Sequence, residues 1–242
     1  MGSEMCIRDR RGPNVPSYVV AANAPLLFLP LRSGPQKQVL DWLAAVDGVS
    51  RSDLRTKMTQ KDLRQWKRKH PGHRSFTVLR HPILRAHDAF CRHILTTGHG
   101  SYTQLRNTMM RRYKMPLPPG GPDERYDLVA HRTAFAAFLR FLKGNLSGQT
   151  AVRVDAAWCT QAQSLLGFGE LTLPDRIFRE DDLATGLNAL GEEVGCQNLP
   201  TLSEAEPSQP FGLADIYDDE IEKLGSDAYM RDYVTFGFSR WR

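Results

Sequence analysis

The chain has 242 residues, 41% of them hydrophobic and 24% charged, and a formal net charge of +5. That length supports one or two domains with a substantial core, and the composition excludes wholesale disorder. Four scattered cysteines (Cys6, Cys91, Cys159, Cys196) include no Cys-x-x-Cys pair, which excludes a disulfide scaffold and a cysteine-only zinc site and fits a reducing compartment.

Residues Met1–Pro16 (MGSEMCIRDRRGPNVP) carry no hydrophobic period. The string MCIRDR looks like read-through of a sequencing adapter, so this segment reads as non-native or disordered, with residues 17–242 as a single domain. It also lacks the apolar centre of a signal peptide. The longest apolar stretch, Val19 to Leu31, is broken by Pro25 and Pro30 and is too short to span a bilayer.

Pro25–Leu31 (PLLFLPL) is a continuous apolar run, the pattern of a strand buried on both faces. Arg32-Ser33-Gly34-Pro35 is a turn signal, and Val39, Leu40, Leu43 and Val46 predict a helix over Gln36–Val46. The chain thus opens strand, glycine-containing turn, helix. Residues 51–70 predict one or two short helices closed by Pro71-Gly72. Ser75–Leu79 is β-branched and aromatic, a second buried strand. Arg80-His81-Pro82 ends it, and Ile83, Ala86, Phe90 and Ile94 predict a helix to about Thr96.

Residues 101–114 predict a further helix before the loop Pro116–Pro122. Tyr126–Leu142 predicts a helix stopped by Gly144, with Phe135, Phe138 and Phe141 as core residues. Asp175–Arg179 is a short strand. Asp181 or Asp182 caps a helix carrying Leu183, Leu187, Leu190 and Val194 and ending at Gly195. Residues 201–211 read as a polar linker, and a last helix runs from Ile216 to about Phe236. Few strands among many helices predict an α/β fold with a small, mostly parallel sheet.

Charge is uneven. Residues 51–74 hold nine Lys/Arg against Asp53 and Asp62, whereas the C-terminal segment from Thr201 is acidic. Such a basic run suits a polyanionic ligand or a solvated helix face. A nucleic-acid interface is disfavoured, because Trp66 alone interleaves the run and no recognition module matches.

Two elements could carry chemistry. Pro30–Lys37 (PLRSGPQK) joins strand to helix through a glycine, a context in which amides and the helix dipole favour an anion; it is not a Walker motif, and Pro35 removes one donor. Arg80 stands at a strand's C-terminal end, where open α/β sheets bind ligands, and its guanidinium can take a phosphate bidentately. Spacing alone also allows helical ion pairs Arg85–Asp88 and Asp88–Arg92. His81, His87 and His93 are spaced by six residues, not the i, i+4 of a helical metal pair, so no metal is expected.

In this order the two elements resemble the P-loop-type sulfotransferases, and most closely the carbohydrate-acting group called sulfotransferase family 2. Phe76–Phe90 (FTVLRHPILRAHDAF) follows its Arg-x-Pro-x-x-Arg-x-x-Ser-Ala-Tyr motif at Arg80, Pro82, Arg85, Ala89 and Phe90. Pro30–Lys37 stands in place of its Pro-Lys-Thr-Gly-Gly-Thr-Ser turn. Ala156–Leu166 is similar to its His-Trp-x-Pro-Gln segment, Asp175–Gly195 to its strand-Arg-Phe-Glu and helix, and Tyr217–Phe238 to its C-terminal ending. The resemblance spans about residues 25–240.

It implies a P-loop-type sulfotransferase fold. It also implies transfer of a sulfuryl group from 3′-phosphoadenosine 5′-phosphosulfate (PAPS) to a hydroxyl, of a sugar or glycan in that group. Arg32, Ser33, Gly34, Gln36 and Lys37 then hold the 5′-phosphosulfate, and Arg80 and the position of Asp88 hold the 3′-phosphate. A cytoplasmic protein, free or peripherally bound to a membrane, is expected. Trp158 and Gln161 either line the acceptor cleft or pack.

The sequence departs from the motifs in ways that bear on charge. Arg32 replaces the motif lysine, Gln36 and Lys37 take the hydroxyl positions, and Ala157 stands in place of the segment's histidine. Asp88 replaces the phosphate-binding serine, which sets a carboxylate against a phosphate. These departures motivate an alternative: a catalytically impaired relative that binds a polyanion or a partner through residues 51–74. The donor reading requires the Pro30–Lys37 turn and Arg80 to face one cleft with room for a nucleotide.

Overall fold

The computed structural model describes residues 18–56, 58–169, 172–197, 199–203 and 209–241; the segment Met1–Pro16 and part of the linker 201–211 lie outside them. Four strands form one sheet in the order β1 (Val19–Val20), β2 (Leu26–Phe28), β3 (Arg74–Leu79) and β4 (Arg176–Arg179). β2, β3 and β4 are parallel, and β1 is antiparallel to β2. The α/β prediction with a small, mostly parallel sheet therefore holds. β1 adds an edge that the sequence reading missed, because its two residues merge with the apolar run that follows.

Alternation explains how a three-residue strand is buried on both sides. Leu26 and Phe28 join Val19, Phe76 and Val78 on one face, under Val39, Trp42 and Leu43 of α1 (Gln36–Asp47) and Leu187 of α7 (Leu183–Glu193). Leu27 and Leu29 join Val20 and Leu79 on the other, under Leu63 and Trp66 of α2 (Gln60–Lys69) and Leu165 and Phe168 of α6 (Gln161–Phe168). The ladder stops at Phe28, but Leu29 still donates its amide to Phe76 O at 2.8 Å, so the apolar run stays in the sheet plane to its end.

A third core is helical. It joins α3 (Pro82–Ala89), a π-helical segment (Phe90–Leu95), α4 (Thr103–Arg112), α5 (Leu128–Leu146) and α9 (Asp219–Ala228) around Phe90, Phe135, Phe138 and Trp158. Phe141 is buried there too, so the three phenylalanines are core residues as predicted.

Boundaries differ where tertiary contacts outweigh local propensity. α5 runs through Gly144 to Leu146. One helical glycine costs about 1 kcal/mol, and the buried Leu142 and Asn145 on either side of it outweigh that. The helix predicted over Ile216 to about Phe236 is two: α9, which Asp218 caps by accepting from Ile221 N, and α10 (Met230–Phe236), which follows a break at Tyr229; a short α8 (Leu213–Ile216) precedes them. The helix predicted to Thr96 changes from α to π geometry at Phe90. Asp182 occupies the cap position of α7 without a side-chain cap bond, after a 3-10 turn over Glu180–Asp182.

Candidate functional site: a turn and an arginine at the strand ends

Parallel pairing puts the C-terminal ends of β2 and β3 side by side, so the turn after β2 and Arg80 after β3 meet. Arg80 Nη1 donates to Ser33 O at 3.2 Å. The turn is tight: Ser33 has φ +58°, and a Cβ on Gly34 would stand 2.9 Å from Leu31 O, so only glycine fits there. Some of its donors are engaged within the turn: Gly34 N bonds Leu31 O at 3.1 Å, Gln36 N bonds Gly34 O at 2.8 Å, and the Gln36 side chain also donates to Leu31 O at 2.8 Å. The Ser33 hydroxyl is buried with no partner among the described residues. Arg32 and Lys37 are exposed at the turn, and Arg32 Nη1 lies 3.9 Å from Asp155 Oδ1.

Arg80 is held on every side. Nε and Nη2 donate to Glu180 Oε2 and Oε1, each at 2.6 Å, a fork-to-fork pair, and Asp88 Oδ1 lies 3.9 Å from Nη1. Burial works against the Arg80 charge, but Glu180 and then Asp88 outweigh it, and its pKa is raised. Asp88 is buried. Its Oδ1 accepts from Arg92 Nε at 2.8 Å and Gln209 Nε2 at 3.2 Å, while Oδ2 has no partner among the described residues. Of the two helical ion pairs the spacing allowed, Asp88–Arg92 forms; Arg85 goes elsewhere.

Sequence reading named Arg85 and Gln161 but not the roles by which they position this site, and it missed Asp232 and Glu180. Arg85 is fully buried and donates to three backbone carbonyls: Arg32 O (2.8 Å), Cys159 O (2.5 Å) and Ala156 O (2.8 Å). It ties the turn after β2 to the loop before α6. Gln161 grips the Arg80 backbone as a peptide would, accepting from its N at 3.0 Å and donating to its O at 2.9 Å. Asp232 caps α6 by accepting from Gln161 N and Ala162 N; burial raises its pKa although those two amides pull it down. Glu180 belongs to the Asp175–Gly195 segment, yet nothing in its spacing marks it as the partner of a residue 100 positions earlier.

Trp158 and Gln161 are both fully buried, so they pack and do not line a cleft; Trp158 Nε1 donates to Asn145 Oδ1 at 3.0 Å. His81, His87 and His93 do not converge. His81 Nε2 bonds Ser239 O, and His93 Nδ1 bonds Gly100 O while its ring stacks on Tyr102. His87 instead meets His131 of α5, Nε2 to Nε2 at 2.8 Å, and Cys91 Sγ lies 3.6 Å from His87 Nε2. Burial lowers the pKa of His87 to about 3, and of His131 to about 4, so both are neutral.

Three of the nine Lys/Arg of the basic run have side-chain partners elsewhere in the chain. Arg51 pairs with Asp41, Arg74 with Glu193, and Lys67 donates to Thr172. Arg55, Lys69 and His70 line a polar cleft with Trp66, away from Arg80. A second, apolar cleft lies between α6 and α10 at Leu165, Leu173 and Phe236. Neither cleft lies between the turn and Arg80, which touch directly, so the room for a nucleotide that the donor reading expects between them is not seen among the described residues.

Comparison with protein-family models, curated proteins and solved structures finds no match to this chain. Among the described residues no helix is long and apolar enough to cross a membrane. The turn and Arg80 together offer three cations, Arg32, Lys37 and Arg80, around the end of a parallel strand pair, with Glu180 and Asp88 as competing carboxylates.

Proposed function

We infer that the turn Arg32–Lys37 and Arg80 form the donor cradle of a PAPS-dependent sulfotransferase acting on a hydroxyl, of a sugar or glycan. The observation that carries this reading is the 3.2 Å bond from Arg80 to Ser33 O, which joins the two elements at neighbouring parallel strand ends. In the reaction the acceptor oxygen bonds to sulfur as the bond from sulfur to the bridging phosphate oxygen breaks. The acceptor proton passes to a base, and 3′-phosphoadenosine 5′-phosphate leaves. Arg32 and Lys37 are placed to offset the charge that develops on the leaving phosphate. Arg80 takes the 3′-phosphate once Glu180 releases it.

That release gives the test. Titration with 3′-phosphoadenosine 5′-phosphate is expected to show saturable binding, lost in Arg80→Ala and strengthened about tenfold in Glu180→Gln, where the competing charge is gone. Binding that is absent from all three proteins, or untouched by Arg80→Ala, overturns the donor assignment.

The Glu180 pair also favours a second reading, a relative that keeps the fold but not the transfer. A carboxylate bound twice at 2.6 Å fills the place a phosphate needs. Under that reading neither wild type nor Glu180→Gln binds the nucleotide, and labelled sulfate passes to no acceptor.

A further inference from the structure

A second cluster of reactive side chains lies buried in the helical core, between α3 and α5. His87, Cys91 and His131 offer one ligand atom each, and these atoms all lie within 4.8 Å of one another in a buried site. His87 and Cys91 are one helical turn apart, i and i+4, at the point where α3 passes into the π-helical segment; His131 reaches them from the first turns of α5. π-helical segments are rare and concentrate at functional sites, because the extra residue per turn re-aims side chains. Here the first full π turn carries Cys91.

We propose that His87 Nε2, Cys91 Sγ and His131 Nε2 bind one zinc ion. A thiolate with two imidazoles is a donor set for Zn2+, and hard cations such as Mg2+ or Ca2+ do not favour it. The distance from Cys91 Sγ to His87 Nε2, 3.6 Å, is that of two neighbouring ligands on a tetrahedral zinc with ordinary bond lengths of about 2.3 and 2.0–2.1 Å. The two imidazole nitrogens, at 2.8 Å, open by about half an ångström to reach the spacing of two nitrogen ligands on a tetrahedral zinc.

The surroundings favour this set. With Nε2 on the metal, the His131 ring proton sits on Nδ1 and donates to Tyr126 Oη, 3.2 Å away, the outer contact that orients a ligating imidazole. Phe135 meets the His87 ring edge-on, Phe90 meets the His131 ring edge-on, and the two phenylalanines tilt against each other. Zn2+ with one thiolate leaves a residual positive charge. The buried Asp88 carboxylate, three residues before Cys91 and with an Oδ2 that has no partner among the described residues, is available to balance it. Binding replaces the Cys91 S–H bond with an S–Zn bond and releases one proton; the Nε2 proton shared by the rings moves to an Nδ1.

The metal-stripped full chain, titrated with Zn2+ against a chromophoric chelator, is expected to take up one ion and release one proton. Co2+ in its place is expected to show thiolate-to-cobalt charge transfer. Cys91→Ser is expected to weaken uptake at least 100-fold and abolish that band. His93→Gln, on the same segment but bonded to Gly100 O, leaves both unchanged. Uptake that is equal in Cys91→Ser, or wild type that is folded by circular dichroism and takes up no ion at micromolar Zn2+, overturns the proposal. Should Cys91→Ser fail to fold, the cobalt spectrum of wild type decides alone: absence of the charge-transfer band refutes the site.

Discussion

Arg85 shows how one buried side chain can fix two loops. Its guanidinium meets three carbonyls, on residues 32, 156 and 159, and is fully buried. Replacing it with methionine keeps much of the volume but leaves those carbonyls without a donor. The expected loss is about 3–5 kcal/mol in urea denaturation at pH 7. A loss under about 1 kcal/mol would mean that water takes over the three bonds. The motif resemblance drew attention to Arg85, but spacing offered only an ion pair with Asp88. Partners 53 to 74 positions away cannot be read from local periodicity. Glu180 is the same case: its charge was visible in the sequence, its pairing with Arg80 was not.

At the scale of elements, β2, α1, β3 and α3 were legible because each carries a strong period or an unbroken apolar run, bounded by glycine or proline. α6 is short, and although Thr160 caps it locally, its first two amides are held from outside by Asp232, about 70 positions on, which no local signal announces. The break at Tyr229 is equally non-local: its ring is fully buried and its hydroxyl donates to Trp158 O at 2.8 Å, which pins the chain between α9 and α10. α9 itself rests on α3 through a glycine. A Cβ on Gly225 would stand 2.3 Å from Ile83 Cγ1 and 2.6 Å from Cδ1. Gly225→Ala is therefore expected to cost about 1–3 kcal/mol by overpacking, read from the denaturation midpoint. Adding Ile83→Ala makes room for the methyl, so the double variant is expected to lose less than the sum of the two single variants; strict additivity would show that the helices part instead.

Across the whole molecule, the last described residues fold back onto the candidate site. Arg179 Nη2 donates to Phe236 O at 2.6 Å and Gly237 O at 3.0 Å, and His81, beside Arg80, bonds Ser239 O through Nε2 at 3.1 Å between the rings of Tyr233 and Phe238. Burial lowers the His81 pKa, and its Nδ1 is buried with no partner among the described residues, so a second proton there has nothing to bond. An unfolded histidine accepts that proton near pH 6.5, the folded one only at lower pH. This contribution is thus fully present above about pH 6.5 and is lost as pH falls below it. Wild type is expected to lose stability between pH 7.5 and 5.5, and His81→Gln to lose less over the same interval. Equal losses in the two proteins would place the sensitivity elsewhere.

The sheet ends on both sides in very short strands, β1 with two residues and β4 with four, and β4 carries Arg176 and Arg179 at its two ends. A stray chain docking along either margin finds only a few backbone groups to bond before the ladder runs out, and at β4 it meets positive charge at once. Copies of this protein should therefore resist zipping together edge to edge even when crowded, although Ile177, near the middle of β4, is nearly half uncovered.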